Sequence, residues 1–109
     1  MVDFNKFLEI DIRAGTIIDV WEFPEALKPA FKLEIDFGQL GNKKSSAQIT
    51  ELYDKDMLLG KQILAVVNFP PRQIGPFMSE VLTLGVPDGD GRVVLVAPET
   101  NVVNGVRLY

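Results

Sequence analysis

The sequence predicts an all-β domain: a five-stranded Greek-key barrel with a short helix before it and a strand-like extension after it. Three observations predict this. Short apolar segments of strand length recur along the chain, separated by turns rich in Gly, Pro, Asn and Asp. Within the clearest of them, Phe31, Leu33, Ile35 and Phe37 alternate with Lys32, Glu34 and Asp36, the pattern of a half-buried strand. A short helical connection falls between the third and fourth strands, which is the element order of an OB-fold, whose ligand face typically lies on the second and third strands and nearby loops. With 109 residues and no linker, internal repeat or low-complexity tract, the chain reads as one domain, residues 1–109.

At the N-terminus, Asp3 is placed to cap a short helix in which Phe4, Phe7 and Leu8 share one face. Such a helix is too short to stand alone in water and must dock on something. A long alternating run follows, with Ile10, Ile12, Ala14, Thr16, Ile18 and Val20 on one side and Arg13, Gly15, Ile17, Asp19 and Trp21 on the other; Gly15 inside it suggests a bulge or sharp coil. FPEALKPA is a proline-bounded loop, and the strand through Phe37 follows it. Gly38–Asn42 is a turn. KKSSAQIT has the length of a strand but is polar. Glu51–Leu59 is the helical connection, closed by Gly60, and Ile63–Phe69 and Glu80–Leu84 are strands. GVPDGDG reads as a turn, Val93–Ala97 as a further strand and Val106–Tyr109 as a candidate last one.

Two strands are apolar on both faces. Ile63, Ala65, Val67 and Phe69 back onto Leu64 and Val66; Val93, Leu95 and Ala97 back onto Val94 and Val96. A small barrel buries one face of each strand, so the other needs a cover. Large apolar patches mark interfaces, and a symmetric homodimer is the commonest solution. Residues 1–10 and 98–109 are the expected dimerisation extensions; the alternative is that both fold over the barrel of a monomer.

Composition excludes more than it reveals. There is no His and no Cys, which removes Ser-His-Asp triads, Cys-His pairs, Cys zinc sites, His-ligated metals and disulfides. No Walker-type phosphate loop is present. Neither a cofactor, a metal nor an enzymatic activity is expected. The net charge of −4 gives no global field for nucleic acid, so RNA contact would need a local cationic patch. MVDFNKFLEID resembles neither a signal peptide nor a membrane span, and the expected location is cytoplasmic, without membrane insertion. DGDG, Asp88–Gly91, lacks the ligand series of a calcium loop and is turn chemistry, and Glu34 with Asp36 is a solvated strand face.

The most unusual segment is NFPPRQIGPFMSEV, Asn68–Val81, where a connection between two strands carries apolar, aromatic and charged side chains. Phe69, Ile74, Phe77 and Met78 read either as an apolar lip that grips peptide side chains, stiffened by Pro70, Pro71 and Pro76, or as core and interface packing. Arg72 can meet a carboxylate or phosphate bidentately, or pair internally with Glu80. Ser79 and Glu80 open the next strand, where Glu80 either faces ligand or fixes the loop. Asn68, if buried, must be hydrogen-bonded, and it pins the loop or meets ligand. On the polar strand, Lys43, Lys44, Ser45, Ser46 and Gln48 read as a binding face for phosphates or an extended backbone, or as a solvated edge guarded by lysine. Trp21 and Phe23 offer an aromatic surface on which bases can stack, with core packing the alternative.

DIRAGTII, EFPEALKPA, LEIDFG, SSAQIT, VVNFPPRQI and SEVLTLG occur in an order and at spacings that resemble the small tRNA-binding-domain family, over about Phe7 to Leu108. The resemblance implies an OB-fold with terminal additions that form a homodimer. Its tRNA-binding members recognise tRNA by shape, and its stand-alone secretion-chaperone members are associated with unfolded or presecretory polypeptide and the export machinery. Ser79-Glu80 is followed here by Val81-Leu82 where many tRNA-binding members have Gly-Met. That departure, the double proline after Asn68-Phe69 and the acidic charge all resemble the chaperone branch. The expectation is an ATP-independent chaperone for presecretory polypeptides, with Phe69, Arg72, Ile74, Phe77, Met78, Ser79 and Glu80 as its peptide site. The alternative is a structure-specific tRNA-binding protein using Lys43, Lys44, Ser45, Ser46, Gln48, Asn68 and Arg72.

Overall fold

Strand β1 (Ile12–Glu22) is the spine of the molecule, seen in a computed structural model that describes residues 1–109. Its first half pairs with β4 (Gln62–Val66) and its second half with β2 (Phe31–Asp36), both antiparallel. One strand serves two neighbours through its two edges, and its register against β2 shifts between Ile17 and Asp19. The extra residue is Ile18. It breaks strict alternation, so Ile17 and Val20 both point into the core while Ile18 faces out.

The bulge therefore lies at Ile18 and not at Gly15. Gly15 has a different task. A Cβ there would lie 2.6 Å from Ile35 Cγ2 and 2.7 Å from Phe37 Cε1, so only a residue without a side chain lets β2 pack this closely.

Beyond β2, a short 3₁₀ turn over Gly38–Leu40 leads into β3 (Asn42–Ala47), and the sheet reads β3-β2-β1-β4-β7, with β7 at Leu82–Thr83. This is an all-β, nearly closed five-stranded barrel of the OB type. Phe31, Leu33 and Ile35 of β2 point inward, joined by Phe37, and meet Ile63 and Ala65 from β4. Helix α2 (Lys55–Leu58) stands between β3 and β4. The Asp54 carboxylate caps it by accepting from Met57 N at 2.8 Å, and Leu58 enters the core fully buried.

Several elements differ from the sequence reading. The connection after β4 is a hairpin, β5 (Arg72–Ile74) against β6 (Phe77–Ser79), turning at Gly75 with φ +56°. GVPDGDG begins as a strand, and β8 (Gly85–Pro87) pairs with β9 (Val93–Leu95). At that hairpin's tip Asp88 accepts from the backbone N–H groups of Asp90 and Arg92, each at 2.9 Å, and from Arg92 Nε at 2.9 Å. The Arg92 backbone N–H foremost holds the Asp88 carboxyl below its ordinary value of 3.8. The tail forms no regular strand. It runs beside β1 through Ala14 N to Val106 O at 3.0 Å and Leu108 N to Ile12 O at 2.8 Å. Helix α1 (Phe4–Leu8) follows Asp3, whose side chain makes no capping bond, and none of its residues is buried.

Candidate functional site

The barrel closes along a seam between its two edge strands, β3 and β7. At one end the closure is tight. Lys44 O accepts from Glu80 N at 2.8 Å and Val81 N at 3.4 Å, and Lys44 N donates to the Glu80 carboxylate at 3.0 Å. Ser46 N donates to Ser79 Oγ at 3.0 Å. The polar character of KKSSAQIT follows from this. Its Ser45 is fully buried, and its hydroxyl meets Val81 O at 3.1 Å and Thr83 Oγ1 at 2.8 Å. Ser45 thus stitches the seam from inside and is not presented to a ligand.

Past Ser46 the two edges part, and the gap widens into a groove of about 600 Å³. Ile49, Ile74, Leu82, Leu84, Val93 and Leu95 provide most of its apolar wall. Ser46, Gln48 and Thr83 add polar groups, and Lys28 and Arg72 are its only charged side chains. Neither cation takes part in an ion pair of the protein. The Arg72–Glu80 pair offered by the sequence does not form. Glu80 instead spends its carboxylate on the Lys44 backbone.

The β5–β6 hairpin stands as a partition. Arg72 and Ile74 line the groove, while Pro71, Pro76, Phe77, Met78 and Glu80, with Lys44, line a second recess of about 520 Å³. Phe77 packs edge-on against the buried Phe23, ring centroids 5.4 Å apart, and Lys32 Nζ lies 5.3 and 5.9 Å from the two ring centres. That contact anchors the hairpin to the loop after β1. Phe69 is half exposed and lines neither recess, and Trp21 also stays at the surface.

The residues expected to act together are thus divided. Arg72 and Ile74 share the groove with Ser46 and Gln48; Phe77, Met78, Glu80 and Lys44 lie on the far side of the hairpin. Alternation on β3 sends Lys43 to the same side as Ser45, opposite to Lys44. Ser79 and Glu80 hold the seam. Asn68 is exposed and does not pin the PPRQIG loop. It accepts from Asp11 N at 2.9 Å and donates to Glu9 O at 2.8 Å, fixing the chain's entry into β1. Lys28, Ile49, Leu82 and Leu84 were not singled out by the sequence. The signal for Lys28 was its place in EALKPA, the loop that precedes the most regular strand.

Residues 12–107 match the family model described as a putative tRNA binding domain. The chain belongs to this tRNA-binding-domain family. Within it, the chain is similar over its full length to two solved chaperones. The Bacillus anthracis chaperone CsaA shares 52% identity at a TM-score of 0.93, with 100% of this chain and 99% of that one covered. The Picrophilus torridus CsaA chaperone protein shares 53% at 0.93, with 100% of both covered. Methionine–tRNA ligase of Porphyromonas gingivalis is 34% identical over 107 residues. The match takes in 98% of this chain but 15% of that ligase, so this family domain spans a small part of the ligase's length.

Proposed function

We propose that the protein holds unfolded or presecretory polypeptide in the groove between β3 and β7, as an ATP-independent chaperone of the CsaA type that acts in the cytoplasm by binding and not by catalysis. The observation that carries this reading is the groove itself. Its wall is mainly apolar, and its two cations are unpaired on a chain of net charge −4. Apolar walls supply affinity for exposed hydrophobic side chains, and the cations select segments that carry acidic groups. Holding such segments limits aggregation by mass action alone. The full-length similarity to two CsaA chaperones supports the same reading, and the export machinery is the natural recipient of such clients.

A second reading has its own support. The family model describes a tRNA-binding domain, and Lys28, Lys44 and Arg72 all lie around the hairpin. The two readings separate in one titration. A labelled unfolded presecretory peptide is expected to raise its anisotropy saturably with added protein, and bulk tRNA is expected not to displace it at low or moderate salt. No peptide binding, with tight and steeply salt-dependent tRNA binding, would select the RNA reading.

The holding form is a homodimer joined through residues 1–10 and 98–109. Phe4, Leu8, Ile10, Val102, Val103 and Val106 are exposed on those segments in the single chain, which is more apolar surface than a monomer gains from leaving wet. Sedimentation at micromolar concentration is expected to give the dimer mass, and a monomer mass would refute the association.

A further inference from the structure

We propose that the bound segment enters the groove as a β-strand added beside β3, pairing with the free Ser46 C=O and with the free N–H and C=O of Gln48. The inference rests on the polypeptide-holding reading and specifies how recognition occurs.

Both the N–H and the C=O of Lys44 bond across the seam, so on β3 the even-numbered residues aim their backbone groups away from β2. Lys44 is fully used. Ser46 N is taken by Ser79 Oγ, but Ser46 O has only a 3.5 Å contact from the Ser45 hydroxyl. Gln48 N and O have no partner in the protein. The protein thus fills the first rungs of the ladder with its own groups, the Val81 and Glu80 backbone, the Glu80 carboxylate and the Ser79 hydroxyl. Its own rungs stop where the groove begins, and Ser46 and Gln48 both line that groove.

An unpaired strand edge is a template for another chain, and strand addition is a recurring mode of peptide recognition. Main-chain bonds read no sequence, which suits a protein that must take many clients. Sequence preference then comes from alternate side chains. Those turned inward meet Ile74, Leu82 and Leu95, and an acidic one at the mouth meets Lys28 or Arg72. The occupant is therefore an extended polypeptide segment that alternates apolar residues and carries a carboxylate. Nucleotide phosphates would use the two cations but leave the apolar wall and the backbone rungs without a counterpart.

The test uses the full chain and a short synthetic peptide of alternating Val and Ser with one central Glu. The peptide is N-methylated at one backbone position at a time. Methylation is expected to weaken binding by about tenfold or more at two positions spaced two residues apart, whose N–H groups meet Ser46 O and Gln48 O, and to have little effect at the residue between them, whose N–H faces away from β3. The Gln48 amide of the unmodified protein is expected to exchange more slowly with the peptide bound. If the peptide binds but methylation shows no period of two and Gln48 is unprotected, strand addition is overturned while groove binding stands. If the peptide does not bind, the holding reading fails and strand addition fails with it. Slowed exchange at Gln48 with tRNA instead of peptide would assign the seam to RNA and overturn the proposal. Gln48→Pro, which removes the N–H, is expected to weaken binding, with Gln48→Ala as the control that keeps it.

Discussion

Phe37→Ala is expected to destabilise the fold by about 3–5 kcal/mol, the range for truncating a fully buried aromatic. Phe37 is fully buried in the core cluster beside Leu33 and Ile35. The space it fills cannot be taken up by its neighbour on β1, because that neighbour is Gly15, whose missing side chain is what admits the ring. The backbone around it is also held. Gly38 and Gly105 both have positive φ, and a Cβ on Gly105 would run into the Phe37 carbonyl oxygen. The site therefore cannot collapse easily, and a cavity term adds to the lost transfer energy. Against a total stability of about 5–15 kcal/mol for a domain of this kind, the loss should be visible as a large drop in the urea midpoint. A change below about 1.5 kcal/mol would mean that the core repacks and that the close approach at Gly15 does not constrain it.

The same residues show where the sequence was readable. Strands β2 and β3, the helical connection before β4 and the barrel order were legible because each depends on local periodicity or composition. The bulge was not, because Ile17 and Ile18 are both apolar and only the pairing with β2 decides which one turns inward. Gly15 drew the bulge to itself, since a glycine in a strand signals either a bulge or a close approach. The β5–β6 hairpin was hidden because its strands are too short for alternation to show and its prolines and Gly75 read as loop. At the site, Arg72, Ile74, Ser46 and Gln48 were within reach of sequence reasoning and do line the groove. Leu82 and Leu84 were not, because the groove is a seam between edges that meet only in three dimensions, as Ser45 and Val81 do across 36 positions. Ser45 misled for a related reason. A serine on a polar strand reads as outward, and its buried partners lie on a strand that the local pattern cannot see.

Truncating the groove wall with Ile74→Ala and Leu82→Ala together is expected to weaken polypeptide binding about thirtyfold or more, at roughly 1–2 kcal/mol for each side chain that a ligand would cover. Both are partly or largely exposed and lie outside the core cluster, so the fold should tolerate the change, which an unaltered urea midpoint would verify. The charge counterpart is Lys28→Glu with Arg72→Glu. It is expected to weaken acid-bearing peptides more than neutral ones, and less so as salt rises, because exposed charges contribute little and are screened. For polypeptide, the apolar pair should therefore outweigh the charge pair at moderate salt. Phosphate recognition demands the reverse, since affinity for nucleic acid is set by cations that release counterions and an apolar wall adds little to it. Loss of tRNA binding in the charge-reversed protein, with full binding in the truncated one, would therefore move the groove to the RNA reading. The ranking of the two double variants decides between the readings even where both ligands bind, because an apolar wall and a cation pair contribute in opposite proportions to the two kinds of ligand.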